Sequence, residues 1–194
     1  MNAAQAPIWG NFVGHGDEDL LAFAWLFQGC LLLQSYYHAG QAMEKYLKGL
    51  ALSIEDPGGT AHPYPTHKRW LTDHNLARLG QRCAAKFPYY GTIAVQSTLQ
   101  RFSEFDQATR YPWVERKLGN GFTTADVPVM VNLLHRLRND VPLVLDDYVL
   151  GMLVRGHHQF NPQIPVNIHM AQMYAPAFAA ARTLFPNIET MVRR

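Results

Sequence analysis

Charge of one sign, oxidisable cysteine and long apolar runs are all scarce in this chain. Its formal net charge is +2 over 194 residues. That is not the basic excess of a dedicated duplex binder, so any nucleic-acid contact has to come from a local patch. The two cysteines, Cys30 and Cys83, form neither a CxxC pair nor a disulfide framework. Both stand in apolar helical contexts, where a free thiol packs as a small hydrophobe. Residues 1–16 lack a basic segment followed by an apolar one, so no secretory signal is expected. The most apolar run, Leu20 to Leu33, is shorter than the ~20 residues that span a bilayer, and Gln28 interrupts it. The expectation is a cytoplasmic protein with no membrane contact. HExxH spacing, a P-loop, GxGxxG and a serine-nucleophile motif are absent. No metal, cofactor or catalytic residue is therefore assigned. His62, His67, His157, His158 and His169 read as scattered loop histidines.

Helical periodicity is what the sequence does have. Hydrophobic residues make up 48% of it, enough for a substantial core. Residues 1–16 are Gly-rich, weakly patterned and expected to be flexible. A first helix is expected to begin near Asp17, where Asp17, Glu18 and Asp19 would face the positive end of the helix dipole. The second, over about 31–55, has the clearest pattern. Leu32, Tyr36, Ala39, Met43, Leu47, Leu50 and Ile54 form one stripe, and Gln34, His38, Gln41, Lys45 and Lys48 advance along the opposite side. Three prolines between Pro57 and Pro65 predict an irregular loop. A third helix is expected over about 74–86 with Asp73 as N-cap. A fourth spans about 91–110, with Val95, Leu99, Phe102 and Phe105 inward. A fifth spans about 124–141, with Val127, Met130, Val131, Leu134, Leu137 and Val141 on one face, and Pro142 kinks or stops it. A last, Ala-rich helix is placed at about 167–184. No strand alternation and no internal repeat is found. The expected architecture is an all-α, up-and-down bundle of about five core helices with an extra C-terminal helical segment. In domain terms, residues 1–16 precede a bundle over 17–150, and a C-terminal extension over 151–194 packs on it.

Four short elements carry a family resemblance. Ser35-Tyr36-Tyr37-His38-Ala39-Gly40-Gln41-Ala42-Met43-Glu44-Lys45-Tyr46-Leu47-Lys48 contains a QA-x-EK-x-x-K pattern. His74-Asn75-Leu76 with Leu79 reads H-x-L-x-x-L. Thr109-Arg110-Tyr111-Pro112 contains RYP, and Arg138-Asn139 stands on the fifth helix. In this order and on these helices they resemble the HEPN family (higher eukaryote and prokaryote nucleotide-binding) over roughly residues 17–150. The resemblance implies a helical bundle, usually a symmetric homodimer. Some members bind nucleotides beside a nucleotidyltransferase-like protein, and others are metal-independent ribonucleases with Arg, four to six residues, then His.

The expected function is nucleotide or RNA binding by such a dimer, as a possible toxin–antitoxin or defence component. The competing readings are a ribonuclease with a displaced catalytic His and a purely structural interaction domain. The usual ribonuclease motif is missing, because residues 139–145 contain no His and Pro142 breaks the helix that would carry one. Arg69 and His74 have the spacing but lie outside the motif's usual place, and His135 is an alternative one turn before Arg138. The candidate nucleotide- or phosphate-binding residues are Arg110, Tyr111, Arg138, Asn139, Lys45 and Lys48. Arg110 is suited to bidentate phosphate contact and Tyr111 to stacking on a base. Arg138 falls inside the apolar stripe of its helix, so it needs either an internal partner or an interface. Lys45 and Lys48 read either as a solvated face or as a basic groove wall.

Overall fold

The computed structural model describes residues 8–28, 31–57, 69–110 and 126–141. Five α-helices follow one another: α1 (Ile8–Gln28), α2 (Leu32–Glu55), α3 (Leu76–Cys83), α4 (Ile93–Arg110) and α5 (Asp126–Asp140). Short 3₁₀ turns, Arg69–Thr72 and Pro88–Gly91, precede and follow α3. No strand occurs among the described residues, and the architecture is an all-α bundle. No helix among the described residues is long and apolar enough to cross a membrane. The expected loop from Pro57 to Pro65 beyond Pro57, the Thr-Arg-Tyr-Pro element beyond Arg110, Pro142 and the whole extension 151–194 lie outside the described residues.

The helix α2 is the axis of the bundle and touches each of the other four. Its expected stripe is inward: Tyr36, Ala39, Met43, Leu47 and Leu50 are buried. So are Ala42, Tyr46, Ala51 and Leu52, because α1, α3, α4 and α5 cover it from several sides. Small residues permit that close approach. A Cβ on Gly49 would meet Val13 Cγ2 at 3.1 Å and the Trp9 carbonyl at 3.3 Å. The expected core face of α5 is also seen, with Val127, Met130, Val131, Leu134, Leu137 and Val141 buried.

Two helix starts differ from expectation. The helix α1 begins at Ile8 rather than near Asp17, and Trp9 and Val13 are buried, so residues 8–16 are part of the bundle. Their weak apolar pattern hid this: two buried side chains, with Gly16 close against Tyr46, suffice where the backbone lies against α2. The N-cap of α3 is Asn75, not Asp73. The Asn75 side chain accepts from the Arg78 amide at 2.9 Å, while Asp73 accepts from the Asn75 amide at 3.0 Å.

Gly16 and Gly14 make a matched test of the α1–α2 contact. A Cβ on Gly16 would lie 2.6 Å from Tyr46 Cε1, whereas one on Gly14 would meet nothing within 4 Å. The Tyr46 ring is fully buried and its hydroxyl is bonded to Asp17, so it has little room to retreat. Gly16→Ala is expected to destabilise by about 1–3 kcal/mol through overpacking. Gly14→Ala, in an open helical position, should stabilise by up to ~1 kcal/mol. Urea melts of the two variants check the opposite signs.

Candidate functional site

The polar residues of the bundle gather on three carboxylates, two from α1 and one from α2. Asp17 lies mid-helix and points inward. Its Oδ1 accepts from the Tyr46 hydroxyl at 2.7 Å, and its Oδ2 accepts from Arg138 Nη2 at 3.1 Å. Arg138 Nε also sits 2.6 Å from Oδ1, as an ionic contact without hydrogen-bond alignment. Both charged side chains are only 2% exposed. Burial pushes the Asp17 carboxyl above its ordinary range, and this outweighs the lowering by the Arg138 charge and the Tyr46 and Arg138 hydrogen bonds. Burial first, then the Asp17 charge, pushes the Tyr46 phenol well up, so its hydroxyl stays a donor.

Asp19, two residues further along α1, faces His38 and Lys45 on α2. His38 Nδ1 is 2.8 Å from Oδ1, and Lys45 donates to Oδ2. Here both partners remain partly exposed, at 30% and 29%. Glu44 is the third centre. Lys48 donates to its Oε1 at 2.7 Å, and His74 Nδ1 stands 3.1 and 3.0 Å from its two oxygens. Lys48 and Glu44 are 5% and 8% exposed, but the His74 side chain is 51% exposed. An ionised carboxylate can only accept, so Nδ1 carries the proton shared with Glu44 and Nε2 is turned away from it.

These contacts separate the residues singled out from sequence. Arg138 has an internal partner, Asp17, so it is sealed within one chain and does not require a dimer seam. Lys48 is buried and Lys45 half-buried. Within their row on α2, Gln34 is exposed, whereas Asp19 of α1 holds Lys45 and Glu44 of α2 holds Lys48. Asn139 is exposed and within 3.1 Å of His135 Nδ1. Arg110 is the last residue of α4, but its side chain and all of Tyr111 lie outside the described residues. Lys45, Lys48 and Arg138 thus serve three separate carboxylates, and the structure does not bring them together as one phosphate cradle.

Asp17, Asp19, Tyr46, His38 and His74 complete these contacts, and none of them was among the binding residues expected from sequence; His74 entered there only in the Arg69 spacing and the H-x-L-x-x-L element. Arg138 in an apolar stripe did signal that a buried acid must exist. Nothing local identified Asp17 as that acid, because the contact joins positions 121 residues apart. No group of three or more His, Cys, Asp or Glu side chains able to hold a metal occurs among the described residues. Cys83 is buried, and burial first, then Glu55, pushes its thiol up to about 12, which leaves it unreactive at neutral pH.

Compared with family models, curated proteins and solved structures, the chain matches none.

Proposed function

We propose that this chain is a HEPN-like helical module that binds nucleotide or RNA. The observation that carries the reading is Glu44. It joins two separate pieces of the resemblance, the QA-x-EK-x-x-K element through Lys48 and the H-x-L-x-x-L element through His74. Those residues therefore act as one unit, and the unit presents a half-exposed imidazole with Nδ1 fixed by a buried carboxylate. Asp19 likewise holds His38 and Lys45, at 30% and 29% exposure. Oriented imidazole and ammonium groups at a surface are suited to phosphate oxygens. Arg110, Tyr111 and Asn139 remain part of the proposed contact set. Dimerisation, a nucleotidyltransferase-like partner and a defence role belong to the same proposal and rest on the resemblance.

Binding, rather than ribonuclease activity, is the form of this proposal that the geometry favours. Arg138 is occupied by Asp17 and closed to solvent, so it is not placed to meet a scissile phosphate. The test is titration of the full chain with a mononucleotide and with labelled RNA across roughly 50–200 mM salt, beside incubation with RNA in chelator. The expected result is affinity that falls steadily with salt, without cleavage. No saturable binding of either ligand overturns the proposal. Cleavage by the wild type that is lost in a folded His135→Ala variant would establish an enzyme instead.

A further inference from the structure

A line of cations and rings runs along α3 and its flanking turns and ends at Arg136 of α5. Arg78 and Arg82 are one helical turn apart on α3, which places them about 6 Å apart along its axis. Lys86 follows in the turn beyond α3. Their side chains face solvent: Arg78 is 75% and Arg82 45% exposed, and Lys86 is exposed. Each of three cations also covers a ring. The Arg82 guanidinium carbon is 4.9 Å from the Trp70 ring centre, Lys86 Nζ is 5.9 Å from that of Phe87, and the Arg136 guanidinium carbon is 5.2 Å from that of Tyr89.

The acids beside this line do not close it. Asp73 and Glu55 approach Arg78 and Arg82 only at 3.6 Å. Asp140 bonds Arg136 Nε at 2.8 Å but is 13% exposed against 52% for the arginine, so it lies beneath the cation and steadies it. The Tyr90 hydroxyl donates to the same Asp140 oxygen at 2.8 Å, and the buried Tyr90 ring backs both Phe87 and Tyr89 at 6.4 and 5.3 Å. The outer rings therefore rest on a buried support, and 40% of Tyr89 is exposed.

We infer that this cation–aromatic line is a docking surface for single-stranded RNA. An acidic peptide would use the charges but leave the rings without a role. A duplex would offer phosphates but keep its bases stacked inside. A single strand supplies both: phosphates for Arg78, Arg82 and Lys86, and free base faces for the Tyr89 ring and for the guanidinium planes lying over Trp70 and Tyr89. The inference takes its ligand class from the nucleic-acid reading above, but its site shares no residue with the Glu44 and Asp19 centres.

The test is fluorescence anisotropy of the full chain with a labelled single-stranded RNA, the duplex of equal length, and a mononucleotide. The variants are Arg82→Gln/Lys86→Gln and Tyr89→Ala. Single-strand binding should exceed duplex binding. The double variant should lower the slope of log affinity against log salt by about 1.4, at roughly 0.7 for each phosphate no longer neutralised. Tyr89→Ala should weaken single-strand binding roughly five- to a hundredfold with little effect on the salt slope. Circular dichroism melts confirm that the variants are folded. If RNA binds and neither substitution changes affinity or slope, the surface is wrong while the wider reading stands. Equal binding of duplex and single strand overturns the single-strand assignment. Failure of the wild type to bind any of the three ligands removes both.

Discussion

Arg138→Met is expected to destabilise the fold by about 3–5 kcal/mol, the usual cost of removing one partner from a buried ion pair. Asp17 would remain at 2% exposure, keeping only the Tyr46 hydroxyl as a partner. For a domain of this size that corresponds to a loss of roughly 10 °C in melting temperature. The pair itself is a different matter. Burial leaves the Asp17 carboxyl above its ordinary value of 3.8 despite the adjacent guanidinium. A carboxyl with a raised folded pKa binds its proton more tightly in the folded chain than in the unfolded one. By linkage its contribution is fully present below pH 3.8 and falls as pH rises through the folded value. Ionisation of this carboxyl is thus a net cost to the fold. Asp17→Leu/Arg138→Met should therefore recover most or all of the loss seen in Arg138→Met, and a melt no more stable than the single variant would refute this account.

Glu44→Leu should be comparably severe, again at about 3–5 kcal/mol, because Lys48 would be left at 5% exposure without its carboxylate partner. The same variant frees His74 from α2 and so loosens the entry to α3. Asp19→Leu gives the contrast. Its partners His38 and Lys45 are about a third exposed, so water takes over much of their solvation. The cost of that substitution should stay near ~1 kcal/mol. Denaturant melts of the two variants at neutral pH separate a buried pair from a half-exposed one. Equal losses would show that burial of Lys48 is not what matters. Adding Lys48→Met to Glu44→Leu should restore most of the stability, which an effect through His74 alone would not produce.

The helices were legible because their signal is local. The stripe from Tyr36 to Leu50 and the face from Val127 to Val141 each lie within one segment, and one burial pattern explains them. The start of α1 was not legible, because Asp17 and Asp19 look like residues at a helix N-terminus when read alone. Their side chains instead answer to Arg138, His38 and Lys45, whose positions only the folded chain brings near. The same reason explains Lys48. On the helix wheel it belongs to the polar side, yet it is buried and paired with Glu44, which also holds His74. Polar residues were recognisable by type, but their roles were set by contacts between distant segments.

The Asp17–Arg138 contact also bears on the order in which the chain can be completed. During synthesis α1 and α2 emerge long before α5, and Gly16, Gly49 and Tyr46 already allow those two to pack. Until α5 arrives, however, Asp17 has no guanidinium, and the surface that Val127, Val131 and Leu134 will cover is bare. A nascent or truncated chain ending before α5 therefore carries both an unmatched acid and an open apolar face. Such a fragment should be held by chaperones or removed by proteases, and arrival of Arg138 supplies the partner that Asp17 lacks until then.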